Sequence, residues 1–374
     1  MVTLTKSGEK MLIDIALANP PFKVSQARAA EELKDRMPGG AAVRRMIDIA
    51  AAHSGIESRY ISFSDTDENA AEKFYSKDGE YISPNTKTRM VEYEKWSKII
   101  AKNAVQKLIK ENDIDISKIN RLVTISCTGF FAPGLDYYLI DEFKIPMNVK
   151  RTNIGFMGCA ASVIGFNTVL DAMNNASGND INTLLVSVEL CSLHLQTEPT
   201  RDNILANMIF ADGCGAAFFS NSSRYSQRVK MKIISTDSIL FKNSAEYMGW
   251  KIGNNGFEMI LSSNLPKIIS NEAVPAIKDM LSRYGLSISS INHWALHPGG
   301  RAILDALQIG LNLPDELMLP SRDVLKHFGN MSSASILFVI KEILISGKIK
   351  KDDICCAVAF GPGLTMETAL FKAL

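Results

Sequence analysis

The chain has 374 residues, 46% of them hydrophobic and 22% charged, and 41 Lys and Arg against 40 Asp and Glu leave a net charge of +1. That length supports one large or two medium domains around a sizeable core, and the balance excludes a disordered chain, a collagen-like fibre and a small disulfide scaffold. Near-zero charge gives no global pull toward nucleic acid or an anionic membrane, and without a run of about 18 uncharged apolar residues no spanning helix is expected.

In chain order, the opening apolar stretches are broken by Lys6, Glu9, Lys10 and Asp14. They read as a core strand rather than a signal peptide, and the expected compartment is the cytoplasm. Residues 64–90 are charged and punctuated by Gly, Asp and Asn, an excursion from an α/β unit. An amphipathic helix follows around Trp96–Lys110, then a short apolar strand within Ile116–Gly129. A Gly158-Cys159 corner opens a nearly all-apolar helix running to Met173, and Asn182 begins another strand. Ser220–Ser223 is a polar break. Beyond it the pattern recurs: an amphipathic helix at Leu265–Tyr284, a strand within Ile288–Gly300, a Gly329-Asn330 corner, an apolar helix to Leu344 and a strand from Asp353.

The recurrence is a duplication. Ile116–Gly129 matches Ile288–Gly300 at an offset of 172 residues; Phe156–Met173 matches His327–Leu344, and Asn182 matches Asp353, both at 171. The halves divide at 1–222 and 223–374. A helix without a polar face is buried all round, so the helices opening near Cys159 and Asn330 are expected to lie together at the centre, sandwiched between two sheets. The expected fold is α/β, a five-layered αβαβα sandwich built from two copies of one unit.

The six cysteines show no CxxC and no secreted-domain density, so reduced thiols are expected, most of them as small buried hydrophobes. Cys159 differs in its place at a helix-opening corner. Unpaired N–H groups and the positive end of the helix dipole favour a thiolate there, and Gly155 and Gly158 permit a tight turn. An ordinary buried Cys beginning a core helix fits the same spacing. His297 and His293 share a strand face. Pro298-Gly299-Gly300 ends the strand abruptly and leaves His297 at a mouth, whereas His293 suits a satisfied core histidine. His53 is expected on a helix surface, His194 in pocket or core, and His327 in the loop leading to Asn330. Asn330 serves equally as an N-cap or as an amide donor to a carbonyl oxygen gaining charge. A nucleophilic Cys with a His and an Asn suits acyl chemistry. No metal-ligand spacing, P-loop or dinucleotide fingerprint competes.

GFMGCAAS around Cys159, ALHPGGRAILD around His297, GNMSSAS around Asn330 and FGPGLTMETAL near the end together resemble the type III polyketide synthases, the chalcone synthase-like family on the thiolase fold. The resemblance implies a homodimer that uses an acyl-CoA starter and malonyl-CoA as substrates and needs no cofactor, metal, nucleic acid or membrane. It implies that Cys159 is the acyl-carrying nucleophile, held as thiolate by His297. His297 and Asn330 would polarise the malonyl thioester and stabilise the enolate and oxyanion. Phe210 and Phe257 match gatekeepers between the CoA tunnel and the cyclisation cavity. Arg45, and beyond HPGG Ala302, fall at CoA-contacting positions, although Ala42 and Ile49 stand where plant enzymes carry basic residues. Ala132 occupies the place of a methionine that reaches across the plant dimer. Its smaller volume, with the altered segment Leu193–Asn203, points to a bacterial-type enzyme with a fatty acyl starter and an alkylpyrone or alkylresorcinol product. A priming ketoacyl synthase that extends once from acyl carrier protein is the nearest alternative, and a cysteine hydrolase with Cys-His-Asn is one of another class.

Overall fold

The structure is a computed structural model describing residues 9–63, 65, 73–78 and 80–374; Lys6 and positions 64, 66–72 and 79 of the predicted 64–90 excursion lie outside these residues. Strand β1 (Met11–Ala18) is almost wholly buried. Next come β2 (Phe22–Ser25), helix α1 (Gln26–Arg36), α2 (Gly40–His53) and β3 (Ser58–Ile61), which pairs antiparallel with β2. The Ser25 hydroxyl caps α1 by accepting from the Arg28 N–H. A small hairpin of β4 (Ser76–Lys77) and β5 (Glu80–Tyr81) precedes α3 (Thr86–Asn112). This helix starts ten residues before the predicted Trp96, because the Asn85 side chain caps it and Arg89 and Tyr93 extend its buried face. Then follow β6 (Arg121–Ser126), α4 (Leu135–Phe143), β7 (Lys150–Gly155), α5 (Ala161–Asn174), β8 (Asn182–Leu190), α6 (Arg201–Ile209) and β9 (Asp212–Ser220).

After β9 the plan repeats. β10 (Met231–Leu240) leads to a hairpin of β11 (Met248–Gly253) and β12 (Gly256–Leu261), and α7 (Leu265–Ile268) runs through a π-turn into α8 (Val274–Arg283). β13 (His293–Leu296), α9 (Arg301–Leu311), α10 (Asp315–Phe328), α11 (Ser335–Ile345), β14 (Ile354–Gly361) and β15 (Thr365–Ala373) complete the chain.

The duplication is visible in the strand order β13-β14-β15-β10-β1-β9-β8-β6-β7. Reading outward from the β1–β10 seam, β9, β8 and β6 on one side answer to β15, β14 and β13 on the other. The two sheets expected from the sequence are therefore continuous. They join where Met11 and Leu12 pair with Lys232 and Met231, which satisfies backbone groups that two separate sheet edges would leave open.

Three clusters define the layers. The central one combines Phe166 and Val169 of α5 with Ile336, Leu337 and Ile340 of α11, packed against Val123 and Phe219 of one half and Ala357 and Phe371 of the other. Outer clusters place α3 and α4 on the first half and α8, α9 and α10 on the second. Each fully buried Leu, Ile or Phe contributes about 1.5–3 kcal/mol, and the central layer draws such side chains from both halves. Close approach depends on glycine: a Cβ on Gly215 of β9 would lie 2.8 Å from Leu337 Cβ of α11. Among the described residues no helix is long and apolar enough to cross a membrane.

Candidate active site

The two central helices are each entered through a one-turn 3-10 segment, Gly158–Ala160 before α5 and Ser332–Ala334 before α11. Gly158 (φ 63) and Ser332 (φ 45) both adopt the left-handed conformation, and a Cβ on Gly158 would come within 2.2 Å of Pro362 Cδ. The predicted tight corner at Cys159 is present. Its structural counterpart is Ser333, and not Asn330 as the sequence offset implied. The duplicated turns are related by three more residues than the flanking matches, because α11 begins one turn later. Asn330 lies in the extended segment before the turn and forms an isolated parallel bridge with Phe210.

His297 leaves the end of β13 with its N–H on the Val358 carbonyl (2.8 Å), and its own carbonyl accepts from Gly299 (2.9 Å). The ring is 3% exposed and neither nitrogen has a partner. A buried imidazole with no partner in the protein keeps both ring nitrogens available to a molecule in the cavity that it lines. Burial pushes its pKa down to about 3. Asn330 is fixed by backbone: its Oδ1 accepts from the Ser332 N–H (2.8 Å) and its Nδ2 donates to the Gly299 carbonyl (3.2 Å).

Cys159, His297 and Asn330 meet on the wall of one cavity of about 310 Å3, with Phe210, Met248 and Met259 opposite and around them. The thiol is 3.6 Å from the Ser332 hydroxyl. Burial pushes its pKa up to about 12, against the Ser332 and Asn330 hydrogen bonds that favour the thiolate and with the charge of nearby Glu189 opposing it. The helix end and these hydrogen bonds favour the thiolate that the resemblance implies, and desolvation by burial opposes it. Glu189, fully buried behind the thiol, accepts from the Cys127 N–H (3.0 Å), the Thr128 hydroxyl (2.8 Å) and the Ser333 hydroxyl; burial raises its pKa.

The other expected site residues divide. Phe210 and Ala302 line the cavity, Ala302 at its mouth. Arg45 is exposed on α2 and is absent from the lining, where Ile49 and His53 of the same helix appear instead. Ala132 is exposed in the loop between β6 and α4, away from the cavity. Phe257 is not on the lining of this cavity, where Met259, two residues on along the same face of β12, stands with Phe210; Phe257 lines a smaller adjoining pocket together with Phe210 and Met259. Phe257 instead stacks on His194 at 4.2 Å between centroids. The His194 ring is locked, its Nδ1 accepting from the Phe257 N–H (2.9 Å) and its Nε2 2.6 Å from the Thr128 carbonyl. His293 is satisfied by Asp353 at 2.9 Å. His327 is in the last turn of α10 rather than a loop.

Sequence reasoning missed Met248, Met259, Arg201 and Arg301. The two methionines come from β11 and β12 and the two arginines from α6 and α9, all on the cavity wall. The apolar alternation in β12 was the only available signal for Met259. Among the described residues no cluster of three or more His, Cys, Asp or Glu is arranged to hold a metal ion.

Comparison with known proteins bears on this geometry. Residues 232–374 match the family model "Chalcone and stilbene synthases, C-terminal domain", and residues 71–244 match "FAE1/Type III polyketide synthase-like protein". The chain is 33% identical over 262 residues to the alpha-pyrone synthesis polyketide synthase-like Pks18 of Mycobacterium tuberculosis, covering 69% of this chain and 66% of that protein. It is 31% identical over 264 residues to a putative chalcone synthase of Bacillus subtilis, covering 69% of this chain and 72% of the relative. The crystal structure of PKS-I from the brown alga Ectocarpus siliculosus superposes with a TM-score of 0.90 at 28% identity over the full length of both chains.

Proposed function

Because this chain belongs to the type III polyketide synthases of the chalcone synthase-like family, we propose that it loads an acyl group from CoA onto Cys159. It then extends that group by decarboxylative condensation with malonyl-CoA. The observation that carries the reading is the convergence of Cys159, His297 and Asn330, from three separate elements, on one apolar cavity.

The chemistry follows from the resting state. As Sγ attacks the starter thioester, its proton passes to His297, so the thiolate exists only while the bond forms. The tetrahedral oxyanion collapses with cleavage of the carbonyl carbon–sulfur bond to CoA, and the departing thiolate takes the proton back from His297. Malonyl-CoA then places its thioester carbonyl against the free N–H of the His297 ring and the Asn330 amide. Loss of CO2 leaves the bonding pair on an enolate whose oxygen those two donors stabilise. The enolate carbon attacks the Cys159 acyl carbonyl, Sγ departs as a thiolate that takes up one proton from solvent through His297 to restore the thiol, and the product is a CoA thioester two carbons longer. Reloading onto Cys159 permits the next cycle.

The wall of Leu205, Ile209, Met248, Met259, Leu261 and Ile303 favours an aliphatic starter, since apolar side chains offer hydrogen bonds to none of a phenolic starter's hydroxyls. With the similarity to a protein named for alpha-pyrone synthesis, it supports an alkylpyrone or alkylresorcinol product. Arg201 and Arg301 at the cavity wall supply cations for CoA phosphates in place of Arg45. The open edge of β7 beside exposed Phe130 and Met147 supports a homodimer.

The test is incubation of purified protein with malonyl-CoA and a panel of aliphatic and aromatic acyl-CoA starters, with products read by mass spectrometry. Multiply extended pyrones or resorcinols, absent with Cys159→Ala, are expected. A product extended only once would favour the ketoacyl synthase alternative, free acid without extension the hydrolase, and no difference between wild type and Cys159→Ala would refute the assignment.

A further inference from the structure

Phe210 and Asn330 both line the cavity, and they are parts of one backbone unit. The Asn330 N–H donates to the Ile209 carbonyl (2.8 Å) and the Ala211 N–H donates to the Asn330 carbonyl (2.9 Å). Whatever sets the position of Phe210 therefore also sets the base of the Asn330 amide. Beneath this unit lies a fully buried cation. Arg59, on β3, is 3% exposed, and its Nη1 donates to the Asn207 carbonyl (2.7 Å) and the Phe210 carbonyl (2.8 Å). These are carbonyls of the last turn and cap of α6, where a cation is favoured and where no further helical N–H is available.

Arg59 is itself held. Its Nη2 donates to Gln26 Oε1 (2.8 Å), and Gln26 Nε2 donates to the Met208 carbonyl (2.8 Å) and the hydroxyl of Ser54 (3.1 Å) on the cavity wall. The negative charge of Asp212, which accepts from Ser62 and Ser192, opposes the cost of burying the guanidinium. On its other side the arginine packs against the turn that carries Asn330: a Cβ added to Gly329 would lie 3.5 Å from Arg59 Cβ and 3.1 Å from the Ile209 carbonyl. The Cys159 backbone depends on none of this, since it enters from the Gly158–Ala160 turn braced by Pro362; only its thiol meets the unit, through the Asn330 side chain.

We propose that Arg59 is a positioning residue for the extension half of the reaction: through the Phe210 carbonyl and the Phe210–Asn330 bridge it sets the Asn330 donor and the Phe210 wall, and it leaves acyl loading on Cys159 alone. The proposal rests on the condensing-enzyme reading above. A planar fork that reaches two carbonyls at once cannot be replaced by an ammonium of the same charge, so Arg59→Lys distinguishes geometry from charge.

The experiment compares wild type, Arg59→Lys, Arg59→Gln and Gln26→Met in two assays: acyl transfer from an acyl-CoA to Cys159, followed by intact-protein mass spectrometry, and CO2 release from malonyl-CoA. A lost hydrogen bond to a charged group corresponds to a rate loss of about tenfold or more, so decarboxylation is expected to fall at least about tenfold in both Arg59 variants. Gln26→Met, which removes the acceptor behind the guanidinium together with the donor to the Met208 carbonyl and the Ser54 hydroxyl, should give a smaller loss of the same kind, and loading should stay within about twofold throughout. Product length should also broaden in Arg59→Lys. Parallel loss of loading and decarboxylation, including in Gln26→Met, or unchanged decarboxylation in the folded variants would overturn the proposal. If wild type itself neither loads nor decarboxylates, the condensing-enzyme reading fails and this inference falls with it.

Discussion

Replacing Asn330 by alanine separates the two halves of the proposed reaction. The side chain makes three kinds of contact: its Oδ1 accepts from the Ser332 N–H at 2.8 Å, its Nδ2 donates to the Gly299 carbonyl at 3.2 Å, and its amide stabilises the Cys159 thiolate. Loss of one donor to a developing oxyanion costs about 2.7–4 kcal/mol, or 10²–10³ in rate. Malonyl-CoA decarboxylation, in which that donor meets the enolate oxygen, should fall by this factor. Acyl loading keeps His297 as proton acceptor and should fall far less, by about tenfold at most. The variant also leaves the buried Ser332 N–H without its acceptor, at a cost of about 1–3 kcal/mol, so denaturant unfolding should show a modest, separable loss of stability. The assay is CO2 release against intact-mass detection of the acyl enzyme. Equal loss of both steps with unchanged stability would refute the assignment of Asn330 to the enolate.

Three further outcomes follow from the same geometry. Burial pushes the Cys159 thiol up to about 12, so the neutral form dominates at neutral pH and the thiolate fraction grows with pH. The rate of inactivation by iodoacetamide should climb close to tenfold per pH unit, about the limit for a thiol far below its pKa, whereas a plateau above pH 6 would indicate a resting ion pair. Arg201→Ala and Arg301→Ala, at the cavity mouth, should raise KM for CoA thioesters with little change in kcat, and the penalty should shrink at high salt; an unchanged KM for both would place the CoA phosphates elsewhere. Gly158→Ala puts a Cβ 2.2 Å from Pro362 Cδ at a φ of 63, and it should destabilise the fold by about 1–3 kcal/mol, measured by denaturant unfolding, while lowering acyl loading.

The features legible in the sequence were those written as periodic or local patterns. The central helices α5 and α11 announced themselves because a helix with no polar face has nowhere else to go. Repetition of strand, corner, helix and strand disclosed the duplicated halves before any contact was known. His297 was legible because Pro298-Gly299-Gly300 stops β13 beside it. Matters decided by three-dimensional registration were not. A difference of one turn in the start of α11 made Asn330, rather than Ser333, look like the partner of Cys159. Along β12, residues 257 and 259 share a face, so alternation alone does not choose between Phe257 and Met259. The seam between β1 and β10 depends on two pairings between strands more than two hundred residues apart. The cations at the mouth come from different elements and form no run in the chain. The state of the thiol was not legible for an energetic reason: helix position favours the charge, and the depth of burial, which a sequence does not display, opposes it.

The central claim is that Cys159 carries a chain that grows on it. The most direct measurement is rapid quenching of the protein with an aliphatic acyl-CoA and malonyl-CoA, followed by digestion and mass analysis of the peptide containing Cys159. The account predicts a starter thioester on that cysteine, followed by species longer by successive two-carbon ketide units, all absent in Cys159→Ala. A starter adduct that hydrolyses without ever lengthening, or adducts that persist on another cysteine in Cys159→Ala, would contradict it.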